Sequence, residues 1–369
     1  MTVTINGSNG LTFNDNSTQT TAATGFGFKN RIINGAMVID QRNAGAVYTS
    51  PASNTYQLDR WVCNVGGGGF NVQQNAGSVT PPVGFKNYYG VTSTGTSAAS
   101  NYSVRQFIEG FNTADLMFGT ADAQAITLSF WVRSSLTGTF GGAIQNSAGT
   151  RSYVYSYTIS SANTWEYKTV TIPGDTGGTW IGATNGAGLV LFISYSVAAG
   201  QTGSAGSWTG NDYRAPTGQI NVVGTNGATF YITGVQLEKG STATSFDYRP
   251  YTTELMLCQR YYFKHKATDG NAILGTGFVI TTNTGLFARY FPVTMRTAPS
   301  AIEQSGTAAD YRIRYPDTNT NCNGVPTFST ASDNEATFTA TVASGTTNGT
   351  GAFLRSVNSS AYLAWSAEL

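Results

Sequence analysis

The chain is 369 residues long, 11% of them charged, with 20 Lys and Arg against 19 Asp and Glu for a net charge of +1. That length calls for two domains with room for a short appendage, and the near-neutral balance excludes the basic footprint that phosphate backbones demand. With 12% aromatic and 40% hydrophobic residues the chain can bury a core, which excludes disorder, while its 44 glycines and its Thr/Ser/Asn/Gln-rich remainder favour many short strands.

Residues 1–28 are polar and weakly alternating. Thr2 to Ile5 and Leu11 to Phe13, split by an Asn-Gly-Ser-Asn-Gly run, read as two short strands around a turn. Such a segment cannot build a core alone, so an attachment arm is expected here, paired with another chain or a larger body. It has neither a basic nor an apolar leader region, and no signal peptide is expected.

Residues 29–251 read as strand after strand. Alternation of period two runs through Ile126 to Val132, Ser152 to Tyr157 and Glu166 to Ile172, and a continuous apolar run spans Leu189 to Tyr195. Gln219 to Val223 and Ala228 to Ile232 follow, with turn residues between, such as Pro173-Gly174-Asp175 and Thr225-Asn226-Gly227. Eight or so strands with Gly-rich loops predict a two-sheet jelly roll. The apolar stretch Gly188 to Ile193 is far too short to span a bilayer.

Residues 252–262 form the one expected helix, capped by Thr252 or Thr253 and joining two β domains. Residues 263–369 return to strands at Ala272 to Thr281, Gly285 to Phe291, Asn334 to Val342 and the closing ten residues, giving a second, smaller β-sandwich. The predicted class is all-β: jelly-roll sandwich, connecting helix, second sandwich and N-terminal β arm.

Several segments carry a family resemblance. Leu11 to Ala23 resembles the Thr/Gln-rich strand near the N-terminus of bacteriophage tail-fibre and tail-collar proteins. Lys29 to Asn43 with Thr55 to Trp61 is similar to the entry strand of a phage-virion jelly roll. Phe230 to Tyr262 resembles its last strand and exit helix, and Phe291 to Ser300 with the closing Ala364 to Leu369 the C-terminal β domain that follows. The jelly roll in turn resembles the carbohydrate-binding modules of polysaccharide hydrolases. The resemblance implies a homotrimeric virion protein, tail fibre or receptor-binding, recognising a host surface glycan and joined to other virion proteins through its N-terminal arm. It would be made in the host cytoplasm and released by lysis, with no membrane insertion and no nucleic acid. A capsid decoration or fibre-shaft protein without a ligand is the alternative; a polysaccharide depolymerase is a third. In the binding modules an Asn-Gly near the first strand and paired acids in the last frame a structural calcium. Asn34-Gly35 fits, but Gly234 to Glu238 lacks the paired aspartates.

The residues themselves argue against catalysis. The single histidine, His265, lies between Lys264 and Lys266 and reads as a solvent-facing residue between domains, so a Ser-His-Asp or multi-histidine site lacks material. Paired carboxylates for glycoside hydrolysis would come from Asp40, Asp59, Glu109, Asp115, Asp122, Asp175, Asp212, Glu238 and Asp247, none in a catalytic motif. Gly66 to Gly69 lacks the Lys-Ser/Thr and helix of a phosphate cradle. Cys63, Cys258 and Cys322 are too few and too scattered for a disulfide framework and read as buried free thiols. Sugars bind to flat rings flanked by amides and acids. Trp61, Trp131 and Trp165 sit on or beside strands and are assigned to the core. Trp180 and Trp208, in Gly-rich loops, and Tyr213 beside them are the candidate glycan contacts, unless they plug the sandwich ends or meet a neighbouring subunit. The Asp59-Arg60-Trp61 and Asp247-Tyr248-Arg249 trios are expected to close the ends of the jelly roll with an ion pair.

Overall fold

The computed structural model describes residues 28–95, 100–316 and 318–369, together with the backbone of three short strands, Thr4–Asn6, Gly10–Thr12 and Thr18–Gln19. Those three strands form a small antiparallel sheet, one strand more than the sequence reading supplied. The rest of the expected arm over 1–28, apart from Phe28, lies outside the described residues.

The protein is all-β, with one α-helix among the described residues. The first body is a two-sheet jelly-roll sandwich. One sheet has six strands in the order Glu166–Ile172, Ile126–Ser134, Thr229–Lys239, Tyr89–Ser93, Phe70–Gln74 and Tyr48–Thr49. The other has seven: Trp208–Thr209, Ser152–Ile159, Gly138–Gln145, Ala187–Ser196, Tyr102–Glu109, Trp61–Val65 and Tyr56–Leu58. Alternation fills the space between them. Ile126, Leu128, Phe130 and Val132 all face inward and are wholly buried, beside Trp61, Phe70, Phe140, Tyr195 and Phe230.

The continuous run Leu189 to Tyr195 is buried on both faces for a separate reason. Residues 197–220 fold back over the outside of the seven-stranded sheet, so Val190 and Phe192 are covered as fully as Leu191 and Ile193. The guanidinium groups of Arg105 and Arg214 lie 5.6 and 5.4 Å from the Phe192 ring. At the end of that covering segment and just beyond it, the strand expected at Gln219 to Val223 does not form. Val222 and Val223 are buried, but their segment meets the sheets through isolated bonds rather than a ladder: Ile220 N–H to the Thr139 carbonyl, Val222 N–H to the Tyr195 carbonyl, and the Ser93 hydroxyl to the Val223 carbonyl.

The entry strand expected at Lys29 to Asn43 is likewise absent. Asn34 and Met37 adopt left-handed backbone, which breaks any ladder. Side-chain bonds take the ladder's place. Asn34 donates to the carbonyls of Ile39 (2.8 Å) and Asp59 (3.0 Å) and accepts from Ile39 N–H (2.9 Å). Gly35 is required because a Cβ there would lie 2.1 Å from the Val235 carbonyl of the last strand.

The helix Tyr251–Gln259 begins at Tyr251, so Thr252 and Thr253 lie in its first turn and cap nothing. The residue preceding it, Pro250, cannot supply a side-chain cap, and its fixed φ suits the position. Beyond it, a three-stranded sheet (Tyr262–Lys266, Tyr362–Ser366, Glu303–Gln304) packs on a seven-stranded one. The latter runs Thr318–Asn321, Tyr311–Tyr315, Gly351–Ser356, Ile273–Val279, Thr284–Tyr290, Glu335–Thr341 and Thr327–Ala331. Phe263, Phe287, Phe338, Leu363 and Trp365 form their shared core.

Charged side chains clasp the two bodies. Glu109, on the first, receives Arg260 (2.5 and 2.9 Å) and the Tyr261 hydroxyl (2.6 Å). Buried Arg60 lies 3.5 Å over the Tyr261 ring and pairs with Glu368, which Arg42 also reaches at 2.9 Å. The two expected terminal trios therefore do not pair with each other. Arg60 serves the junction, while Arg249 holds the entry segment through the carbonyls of Asn30 and Ile32 and pairs with Asp247 at 3.6 Å and Glu254 at 3.4 Å.

Candidate functional site

Of the three ring positions singled out in the sequence, two come together. Trp180 and Trp208 pack edge to face at 5.5 Å, both against Phe118 (4.9 and 5.7 Å), and Trp208 meets Tyr153 at 5.4 Å. The cluster rests on the main core and closes that end of the sandwich. Both indole N–H groups are committed: Trp208 donates to the Pro173 carbonyl (2.8 Å), Trp180 to Asp175 and the Gly177 carbonyl (3.2 Å each). Asp175 is itself buried and held by Arg151 at 2.5 and 2.8 Å. Tyr213 lies elsewhere, its ring filling the space where a Cβ on Gly203 would stand.

The open aromatic surface lies on the outer face of the six-stranded sheet. In Ile126–Ser134 the inward parity of Leu128 and Phe130 turns Ser129, Trp131 and Arg133 outward. Trp131 is directly opposite Tyr167 in the neighbouring strand, their rings 5.3 Å apart. Trp131 is thus half-buried on the outside, a correction to its assignment to the core. Trp165 is also half-buried outside, edge-on to Tyr88 at 5.5 Å and bonded through its N–H to the Thr80 carbonyl at 2.9 Å. Trp61 alone of the three lies in the core, as expected.

A second wall faces the Trp131–Tyr167 pair. Phe85, Phe246 and Tyr248 form a mutual cluster with ring separations of 5.1, 5.5 and 4.9 Å. Its position depends on a bulge in the last strand, where the register against Ile126–Ser134 shifts between Ser129 and Trp131. Gly234 sits at that bulge with φ +62°, and a Cβ there would meet the Phe85 ring at 2.6 Å. Between the walls runs a groove of about 310 Å³, floored by Gly234 and edged by Ser129, Ser245 and Val83. Tyr248 and Tyr167 are 57% and 44% exposed, so their ring faces are open to a ligand.

Trp131 differs from its counterparts in one further respect. Trp61, Trp165, Trp180 and Trp208 all donate their indole N–H to protein oxygens. Trp131 has no such bond among the described residues, and unlike Trp365 it is not sealed inside a core. Its N–H is free to meet a ligand oxygen at the rim of the groove.

The candidate acids are mostly committed to structural work. Asp59 is fully buried beneath Gln41, with bonds of 2.6 and 2.7 Å; burial raises its pKa to about 6, against the lowering effect of Arg42 and Gln41. Asp40 accepts the N–H groups of Asn43 and Gly45, Asp115 pairs with Arg31, and Asp212 with Arg214. Glu238 takes the N–H and hydroxyl of Thr244 (2.9 and 2.6 Å) and the Gln236 amide (2.9 Å). With Asn34 and Glu238 both engaged this way, the residues present do not fit the calcium that the resemblance implies. Among the described residues no three His, Cys, Asp or Glu side chains converge to hold a metal ion. Cys63, Cys258 and Cys322 are buried free thiols.

His265 is not solvent-facing. It is half-buried, with its ring parallel to Phe263 at 6.5 Å, and burial together with the charge of Arg289 lowers its pKa to about 4. Gly66 to Gly69 form the short connection between Trp61–Val65 and Phe70–Gln74.

No family model matches the chain, and no curated protein does. Solved structures with which it shares some likeness include the enzymatically active domain of bacteriophage CBA120 tailspike protein 4, at 11% identity and TM-score 0.29 over 52% of this chain. The chain spans only 21% of that tailspike's length. The CBM22-1 xylan-binding domain from Paenibacillus barcinonensis matches at 12% identity and TM-score 0.25, over 55% of this chain and 99% of that one. A family 11 carbohydrate-binding module from Clostridium thermocellum, in complex with a β-1,3-1,4-mixed-linked tetrasaccharide, matches at 15% and 0.25, over 54% and 99%. Similarities this low carry no functional weight.

Proposed function

We propose that this protein is a non-enzymatic virion component of the tail-fibre, receptor-binding type, which holds host surface glycan in the groove between Trp131–Tyr167 and Phe85–Tyr248. One observation carries the reading: Trp131 lies outward on a rigid strand, beside an open groove, with an indole N–H that no group of the described residues uses. Flat rings on paired strands offer their faces to the C–H surface of a pyranose, and the hydroxyls of Ser129 and Ser245 and the Trp131 N–H meet its oxygens. Rings on a sheet lose little conformational freedom on binding, which favours affinity in so shallow a groove.

The virion assignment is supported by the tail-fibre resemblance of Leu11 to Ala23 and Phe230 to Tyr262. On this reading the protein is a homotrimer attached to other virion proteins through its N-terminal arm. Binding without turnover is supported by the engagement of Asp59, Glu109, Asp175, Asp212 and Glu238 in structural bonds, which leaves no free acid pair among them.

The test is a screen of the full chain against bacterial surface polysaccharides, capsules and O-antigens included, with Trp131→Ala alongside. Binding at the groove that falls more than tenfold in the variant, with no release of reducing ends, supports the reading. Released sugar makes the protein a depolymerase. Antibody label over the virion head rather than the tail makes it a decoration protein.

A further inference from the structure

A second cleft, larger than the groove, lies where the two bodies meet. It encloses about 490 Å³, and its walls come from both sides: Tyr48 and Tyr56 from the first body, Tyr262, Lys264, Glu303 and Tyr362 from the second.

Its floor is fixed before any ligand arrives. The Arg42 guanidinium lies 3.7 Å over Tyr262 and 4.9 Å from Tyr56, and its charge is matched by Glu368 at 2.9 Å. The Tyr56 hydroxyl donates to the Leu369 carbonyl (3.0 Å), and the Gln41 amide to the Tyr262 carbonyl (2.9 Å). A cleft whose rings are locked in this way binds with little ordering cost.

Two charged groups are only partly satisfied. Lys264 donates to the Arg42 carbonyl at 3.2 Å and sits 4.1 Å over the Tyr362 ring, with no carboxylate within ion-pair reach among the described residues. Glu303 is exposed and accepts the Tyr262 hydroxyl at 2.9 Å, its one side-chain donor among the described residues. The cleft thus presents an ammonium with spare N–H groups, a carboxylate with spare lone pairs, and flat rings beside both. An anion drawn to Lys264 meets Glu303, and a cation drawn to Glu303 meets Lys264. A neutral, hydroxyl-rich ligand satisfies both, donating to the carboxylate, accepting from the ammonium and laying its C–H face on a ring.

We propose that the junction cleft is a second saccharide site, taking a neutral sugar unit through Lys264, Glu303 and the Tyr362 ring. The inference rests on the glycan reading given above. It adds that one chain grips a polysaccharide at two points, so that affinity for a long chain exceeds that for a short one by more than either contact supplies.

The experiment is calorimetric titration of cellohexaose, xylohexaose, mannohexaose and a hexagalacturonate into the whole 369-residue chain, wild type and variants. Glu303→Gln and Lys264→Met are each expected to weaken binding at the junction at least tenfold, while Trp131→Ala leaves that event in place. A melting temperature equal to wild type in both junction variants shows that the cleft is still folded. Titrations of Glu303→Gln and Lys264→Met that match wild type at unchanged melting temperature overturn the junction site while the groove reading stands. Loss of all binding in Trp131→Ala overturns it too. Binding abolished by Glu303→Gln but untouched by Trp131→Ala overturns the groove instead and upholds the junction. Tighter, salt-sensitive binding of the galacturonate overturns the neutral assignment. A wild type that binds no saccharide ends both readings.

Discussion

Two clusters of half-buried aromatic rings on the same sandwich have opposite relations to their surroundings. At the sandwich end, Trp180, Trp208 and Phe118 stack edge to face, and each indole N–H is consumed by a protein oxygen. On the outer sheet face, Trp131 and Tyr167 lie beside an open groove with the Trp131 N–H unspent. Partial burial alone does not separate a plug from a platform. Hydrogen-bond commitment does, because a ring whose polar edge is already satisfied gains less by binding than one whose edge is not.

The largest effect that sharpens this contrast is on stability. Trp208→Ala removes contacts with Trp180, Phe118 and Tyr153 and leaves a cavity at the end of the core, an expected loss of about 3 kcal/mol read by denaturant melts. A loss under about 1 kcal/mol would mean that the cluster is no plug.

Next in size is the reciprocal variant. Trp131→Ala is expected to cut glycan affinity at the groove more than tenfold, which is about 1.4 kcal/mol or more, while moving the melting midpoint little. Gly234→Ala probes the same wall indirectly. Its Cβ would strike the Phe85 ring and hold a non-glycine residue at φ +62°, at a cost of about 1–2 kcal/mol and with a measurable drop in groove affinity. Full affinity in that variant would show that the Phe85–Tyr248 wall is dispensable.

The smallest effect expected is with pH. The groove is lined by neutral rings and hydroxyls, and burial holds the Tyr248 phenol above its usual pKa. Its affinity should therefore stay flat from about pH 5 to 9, because no carboxylate, imidazole or amine lines it. Stability behaves differently at the junction. Burial would raise the pKa of Glu109, but the hydrogen bonds and charge of Arg260 and the Tyr261 hydroxyl outweigh it and hold the carboxyl below its ordinary value. A depressed carboxylate stabilises the fold above its unfolded pKa and loses that contribution as pH falls through the folded one. The stability gap between wild type and Glu109→Gln should thus be full at neutral pH and shrink in acid.

Much of the architecture was legible because strand alternation is a direct imprint of facing. Ile126 to Val132, Ser152 to Tyr157 and Glu166 to Ile172 each form the strand their pattern promised. Lys29 to Asn43 and Gln219 to Val223 did not, since apolar residues there are buried by side-chain bonds and loop packing rather than by ladders. The groove was missed, although a signal for one of its walls was present. Trp131 shares parity with Ser129 and Arg133, opposite Phe130, and Tyr167 shares parity with Thr169 and Thr171, which marks both as outward-facing. The facing wall was not legible, because Phe85 and Tyr248 are 163 positions apart in sequence and meet beside the Gly234 bulge, which no local pattern announces. The packing of the loop tryptophans was not legible for a related reason: a Gly-rich loop carries no signal that its indole N–H will find a carbonyl.

The most direct test is to follow the six tryptophan indole N–H resonances of the full chain, assigned with single Trp→Phe variants, while a bound polysaccharide fragment is titrated in. The account predicts that the Trp131 resonance moves with saturating dose while those of Trp180 and Trp208 stay in place. Movement of Trp180 and Trp208 with Trp131 unmoved would contradict it, and would transfer the glycan site to the sandwich end.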